Sequence, residues 1–165
     1  MIPFVEQARF YATFHKSETT QYAHMAGVPM IVLSLMILLG FVHITIIGVL
    51  DLSLANIATL ALLIYYYRLQ WRLSLVLTPI MILLLWIADI ISHNGPTVSA
   101  LWMFLIIFIS GVVLQSIEYI LEKKQPNYID NLWRLLLSPL LITAELIFML
   151  GKMNALKEDI HGKEK

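Results

Sequence analysis

Two histidines lie just before the first long apolar stretch of the chain. His15 and His24 both fall within the segment 10–29, which leads into membrane-like sequence. Neutral imidazole is the commonest protein ligand for transition metals, and a metal held where a chain enters a membrane would meet a lipid substrate directly. The pair therefore predicts a metal site at a membrane surface, with polar anchoring of an interfacial helix as the alternative.

Two carboxylates near the end of a later apolar stretch could complete such a site. Glu118 and Glu122 are four residues apart, so they share one face of a helix. His15 and His24 are nine residues apart and would point to opposite faces of one straight helix. We therefore expect a break in the segment 17–20, which lets both imidazoles approach the carboxylates.

The composition is that of a membrane protein. Of the 165 residues, 59% are hydrophobic and 13% charged, whereas soluble domains have about 45–50% and about 25%. We expect a single integral membrane domain over 1–165. The 11 basic and 11 acidic residues balance, so no electrostatic footprint for nucleic acid exists. Because the chain has no cysteine, a metal must be held by His, Asp, Glu or backbone oxygen.

Apolar stretches predict an all-α bundle of four transmembrane helices. They cover 26–50, 52–67, 73–91 and 98–117. The second is shorter than the roughly 20 residues that cross a bilayer core, but it ends in three tyrosines typical of an interface. An N-terminal interfacial helix should precede the bundle. The segment 132–151, which is interrupted by Arg134 and Pro139, should re-enter the membrane or lie at its interface, followed by a polar tail at 152–165.

Charge placement orients this bundle. Lys and Arg residues precede the first span, separate the second from the third, and follow the fourth, while the other two loops have none. By the positive-inside rule both termini are cytoplasmic, in either a bacterial inner membrane or the endoplasmic reticulum. This topology places His15, His24, Glu118 and Glu122 on the cytoplasmic side and His93 on the opposite side.

Several motifs resemble the membrane 2-hydroxy-fatty-acid dioxygenase family known from fungal phytosphingosine degradation. They are Phe-Tyr-x3-His-x8-His-x3-Val-Pro at 10–29, Glu-Lys-Lys-Gln-Pro at 122–126, Ile-Asp-Asn-Leu at 129–132, Ser-Pro at 138–139, and Glu145. Members of this family are iron(II)-dependent multi-span proteins that use dioxygen to remove one carbon from a 2-hydroxy fatty acid, and their histidines are taken as iron ligands. The resemblance implies Fe(2+), with Zn(2+) as the alternative, dioxygen, and a fatty acid substrate from the membrane.

The chain departs from the family pattern near its fourth predicted span. Where the family has a Gly-His pair, this chain has Ile117-Glu118. The family pattern also has a glutamine three residues before that pair, where this chain has Leu114, and its glutamine comes one residue later, at Gln115. Two histidines and one carboxylate are the ligand set of many non-haem iron oxygenases. We therefore expect His15, His24 and Glu118 to be the catalytic metal ligands. A loose alignment also matches His93 to a family histidine, which conflicts with its place in the topology.

Two further carboxylates have weaker assignments. Glu122 is a candidate metal ligand, although pairing with a neighbouring lysine explains it equally well. Glu145 lies in an apolar stretch where an ionised carboxylate is costly, so it needs a partner. It could support a ligand histidine through a hydrogen bond, or form a structural ion pair with Arg134.

The expected function is thus iron-dependent α-oxidation of 2-hydroxy fatty acids at the cytoplasmic membrane face. The alternative is a non-catalytic membrane protein that binds lipid or protein partners, the family site having been altered by Glu118. A transporter using Asp89 and Glu145 is a weaker alternative, because no inverted repeat is visible. The protein could form a homo-oligomer, since no residue pattern indicates or excludes one.

Overall fold

The structure is a computed structural model that describes residues 18–46, 50–122 and 128–149, with side chains over 22–44, 52–116 and 137–147. Its elements are α1 (Glu18–Gly40), β1 (His43–Ile46), β2 (Leu50–Ser53), α2 (Leu54–Ser92), α3 (Val98–Glu122) and α4 (Tyr128–Met149). The predicted N-terminal interfacial helix and the tail 152–165 lie outside the described residues. The described part is helical, as predicted, except for one short β-hairpin.

The hairpin corrects the predicted first span. Instead of one helix over 26–50, α1 ends at Gly40, and β1 pairs with β2 in antiparallel register from His43 opposite Ser53 to Ile46 opposite Leu50. The segment 42–47 is rich in β-branched side chains, which favour extended backbone over helix. The predicted span was therefore too long, because apolar character alone does not distinguish a strand from the end of a helix.

Helix α2 is not straight, and it joins the second and third predicted spans. Its start lies at the end of α1, because the Leu54 backbone N–H donates to the Val42 carbonyl at 2.8 Å. Its last residue lies there too, since the Ser92 Cβ is 2.9 Å from the position that a Cβ on Gly40 would take. A straight helix of these 39 residues would hold its ends about 58 Å apart. Helix α2 therefore folds back on itself.

The reversal occurs at Gln70, which has an extended backbone (φ −155°, ψ 91°) inside the helix. The Tyr67 hydroxyl and the Thr78 Oγ1, eleven residues apart, are 3.1 Å from each other across the bend. We call 54–69 the first arm and 71–92 the second arm. The first arm begins with Ser53 as N-cap, whose side chain accepts a hydrogen bond from the Asn56 backbone N–H at 3.3 Å.

These contacts define two ends of the bundle. Gly40, the hairpin and Ser92 mark one end, which we call the Gly40 end. Helix α1 and the first arm both run about 24 Å away from it, to His24 and to the Gln70 bend respectively. We call that opposite end the His24 end.

Helix α4 lies inside the bundle. Every residue from Leu137 to Glu145 is buried, and the helix packs against α2 and α1. The core that it shares with them contains Met36, Ile37, Tyr66, Leu73, Leu77, Met81, Ala88, Leu137, Leu140, Leu141, Ala144 and Ile147. The described part of α4 is therefore an interior element of the bundle, and the re-entrant or interfacial placement of 132–151 stays a prediction.

The outer face of the bundle is apolar. Large side chains such as Leu60, Trp86, Trp102 and Ile106 are each more than 60% exposed. Three of the described helices are long and apolar enough to cross a membrane, over Tyr22–Gly40, Leu54–Ser92 and Val98–Ser116, while the apolar part of α4, Leu137–Ile147, is shorter. Apolar exposure on this scale is typical of a surface that faces lipid.

The reversal at Gln70 can be tested by cross-linking, because the chain contains no native cysteine. We expect the pair Tyr67→Cys and Thr78→Cys to be joined efficiently by a short bifunctional thiol reagent, since their side chains touch across the bend. The matched control is Leu105→Cys with Ser116→Cys, also eleven residues apart but in the continuous helix α3, about 16 Å apart. Equal yields for the two pairs, measured by mass spectrometry of the linked peptides, would contradict the fold-back.

Candidate functional site

Helices α1 and α3 cross at two glycines. A Cβ on Gly27 would lie 3.2 Å from the Gly111 carbonyl oxygen, and a Cβ on Gly111 would lie 2.8 Å from Ile31 Cγ1 and 3.2 Å from the Gly27 carbonyl oxygen. Because neither residue has a side chain, the two backbones approach closely, as small residues allow in membrane helix pairs. Helix α3 starts near the Gly40 end, after the turn that follows Ser92, so it runs antiparallel to α1.

His24 lies on this crossing. It precedes Gly27 by three residues, which puts the two on one face of α1. The side chain is 6% exposed, and its Nε2 atom is shielded from solvent. An imidazole that only anchors a helix at a membrane surface would keep its nitrogens in water. The burial of His24 therefore argues against polar anchoring, and its role as a metal ligand stays a prediction.

The antiparallel register carries the predicted carboxylates to the same end. Glu118 and Glu122 follow Gly111 by seven and eleven residues in α3, on the face that meets α1. His24 on α1 and the backbone positions of both glutamates on α3 thus all lie between the glycine crossing and the His24 end. Their side chains, and all of His15, lie outside the described part of the chain.

The metal ligand set itself stays a prediction. Among the described side chains, no group of three or more His, Asp or Glu is placed to hold a metal ion. Of the predicted site residues, only His24 and Glu145 have described side chains. Glu145 is 8% exposed in α4, and its proposed role stays a prediction.

His93 lies at the opposite end from His24. It is exposed and follows Ser92, which contacts Gly40, sixteen residues beyond His24 along α1. That separation is about 24 Å. His93 and His24 therefore lie at opposite ends of the bundle, too far apart to bind one metal ion. Asp89 lies one turn before His93 and is exposed as well.

Gln115 is a residue that the sequence analysis did not assign to the site. Its Cγ lies 3.2 Å from the Cβ position of Gly27, so it belongs to the α1–α3 contact. Its Nε2 atom is buried and has no hydrogen-bond partner in the part of the chain that the structure describes. The signal in the sequence is the spacing of Gly111, Gln115 and Glu118, which puts all three on one helix face.

Positive charge is also present toward the His24 end. Arg68 and Arg72 flank the Gln70 bend and are both exposed. The Arg72 guanidinium lies 5.5 Å from the centre of the Trp71 ring, within the range of a cation–π contact. Both arginine side chains are therefore accessible to an anion.

The described residues define a class: a helical bundle whose apolar exterior is compatible with a membrane. A family model described as 2-hydroxy-palmitic acid dioxygenase Mpo1-like matches residues 1–150. The chain therefore belongs to the Mpo1-like family, and the resemblance noted in its motifs is confirmed. Comparison with curated proteins and with solved structures gave no significant match.

The glycine crossing predicts a specific sensitivity to one added methyl group. We expect Gly111→Ala to lower the free energy of unfolding by about 1–3 kcal/mol, because the new Cβ overlaps Ile31 and forces the helices apart. The control is Val112→Ala on the outward, 40% exposed neighbour, which should change stability much less. Denaturant titration in detergent measures both, and equal effects would show that the crossing is not tightly packed.

Proposed function

We propose that this protein is an iron-dependent membrane dioxygenase that removes one carbon from 2-hydroxy fatty acids at the His24 end of the bundle. Membership of the Mpo1-like family supports the substrate class and the reaction. The observation that carries the proposal is the burial of His24, three residues before the Gly27–Gly111 crossing, at the end of the bundle where the α3 backbone positions of Glu118 and Glu122 lie.

The donor set at this end suits iron. A shielded imidazole nitrogen beside carboxylate positions provides the mixed nitrogen and oxygen ligands that non-haem iron accepts. In the proposal His15, His24 and Glu118 hold the metal, Glu122 is a further candidate ligand, and Glu145 orients a ligand histidine through a hydrogen bond. The chemistry that bound iron supplies is activation of dioxygen for cleavage between carbons 1 and 2 of the substrate.

The protein's own residues bind and orient the substrate. An acyl chain would enter from the bilayer and lie along the apolar helices, leaving its carboxylate and hydroxyl at the His24 end. Arg68 and Arg72 give that end positive charge, which attracts the carboxylate. Burial of the His24 side chain limits the access of water to the reacting carbons.

The proposed topology has four crossings with both termini in the cytoplasm. The two arms of α2 cross in opposite directions, which raises the three apolar helices to four crossings. The Gln70 bend with Arg68 and Arg72 then lies on the cytoplasmic side, in accord with the positive-inside rule. The site at the His24 end faces the same compartment.

Iron content tests the proposal directly. We expect purified protein to hold about one iron per chain, measured by metal mass spectrometry, and His24→Ala to lose that iron together with turnover of a 2-hydroxy fatty acid. His93→Ala is the matched control, since this exposed histidine lies at the Gly40 end, and it should keep both. Iron retained by a folded His24→Ala variant would overturn the assignment of His24 as a ligand. Stoichiometric zinc in the wild-type protein would mean that the metal is Zn(2+) and not Fe(2+).

The second candidate function is a non-catalytic lipid- or partner-binding protein, favoured by Glu118 at the position where the family has histidine. Two variants separate the candidates. If Glu118 is a ligand, Glu118→Gln loses iron, because a neutral amide is a poor ligand, whereas Glu118→His restores the family residue and keeps iron. Wild-type protein without iron, unchanged by either substitution, would favour the non-catalytic candidate.

A further inference from the structure

The side-chain amide of Gln115 occupies an unusual position for a polar group in an apolar helix. Its Cγ packs against Gly27 at the α1–α3 crossing. His24 lies one turn from Gly27 on α1, and Glu118 lies one turn from Gln115 on α3. The amide therefore belongs to the same helix contact as the proposed metal ligands.

Several hydroxyl side chains in the bundle form hydrogen bonds within their own helix. The hydroxyls of Ser34, Ser74, Thr78, Ser116 and Thr143 each donate to a carbonyl three or four residues earlier, at 2.7–2.9 Å. A glutamine donor cannot do so as readily, and Gln115 Nε2 is buried with no hydrogen-bond partner within the described ranges. An unsatisfied buried amide lowers stability, so an acceptor placed beside Gln115 Nε2 would remove that cost.

Ser92 is the other buried donor of this kind, but its setting differs. Its Oγ also has no partner among the described residues, yet its side chain packs against the Gly40 backbone at the opposite end from His24. It fills space between two helices, as a small residue does at a tight contact. Gln115, by contrast, presents two N–H donors beside the proposed site.

We propose that Gln115 binds the substrate by donating a hydrogen bond to a headgroup oxygen of the 2-hydroxy acid. This inference rests on the proposed function, and it adds a substrate-binding residue that lies between the glycine crossing and the ligands. The headgroup offers carboxylate and hydroxyl oxygens, and all of them accept hydrogen bonds. A neutral donor holds this headgroup without competing with the metal for negative charge.

If Gln115 binds the substrate, loss of its donor should affect substrate affinity and protein stability differently. Removing a donor that has no protein partner leaves the ligand-free protein as stable as before or more stable, whereas removing one that bonds to protein destabilises it. A hydrogen bond to a charged group contributes about 1.5–3 kcal/mol, which corresponds to roughly a 10- to 100-fold change in affinity. A purely structural glutamine would show the reverse pattern.

The experiment compares wild type with Gln115→Leu, which keeps the side-chain volume and removes the donor. Binding of 2-hydroxypalmitic acid to purified protein in detergent is measured by calorimetry, and unfolding by denaturant titration without ligand. We expect affinity to fall at least about 10-fold with stability unchanged or raised. Ser116→Ala, the neighbour whose hydroxyl bonds within its own helix, is the matched control and should change neither value.

Each other outcome has a defined meaning. Wild-type affinity in Gln115→Leu would overturn the role of Gln115 and leave the proposed function intact. No binding of 2-hydroxypalmitic acid by wild type would instead overturn the proposed function, and this inference with it. If Gln115→Leu does not fold, Gln115→Met, which also lacks the donor but adapts its shape, decides the question by the same affinity criterion.

Discussion

The structure depends on the close approach of α1 and α3 at Gly27 and Gly111. Between apolar helices in a bilayer no hydrophobic force favours contact, so association relies on packing and interhelical hydrogen bonds. Two glycines in register allow the backbones to meet, since each carbonyl lies 3.2 Å from the other glycine's Cβ position. That register fixes which residues share each level of the contact. Gln115 packs against Gly27 at this crossing, His24 lies three residues before Gly27 on α1, and the positions of Glu118 and Glu122 follow from the helical repeat of α3.

The second constraint is the reversal of α2, which sorts the polar residues between the two ends. Because Ser92 returns to Gly40, the exposed His93 and Asp89 are held far from His24. The bend itself, with Arg68 and Arg72, is carried to the other end. The reversal at the extended residue Gln70 therefore places the two arginines at the same end as the buried His24. Asp89 and His93 lie at the other end. A lipid carboxylate would be drawn to the end that carries the arginines.

Much of this architecture could be predicted from the sequence, but the contacts could not. Apolar stretches of nearly the right length predicted three of the helices, and the spacing of charges predicted which ends carry cations. The hairpin over His43–Ser53 was missed because its strands are as apolar as a span, and only their β-branched residues indicated extended structure. The glycine register was also missed, since Gly27 and Gly111 are 84 residues apart and no periodicity within one helix reveals what another helix presents. Gln115 gained meaning only from that register.

Two features of the fold bear on the proposed chemistry: the polar side chains of His24 and Gln115 beside the α1–α3 crossing, and the apolar outer face of the bundle. A glutamine amide that is buried with no hydrogen-bond partner among the described residues lowers stability relative to an apolar residue of similar size, because it loses hydration inside a helix pair. A bundle selected for packing alone would place an apolar residue there. In the role proposed for Gln115, the protein gives up this stability in exchange for ligand binding. Under the proposed function of this Mpo1-like chain, the apolar exterior would bring the acyl chain to the bundle, and the groups beside the crossing would hold its headgroup.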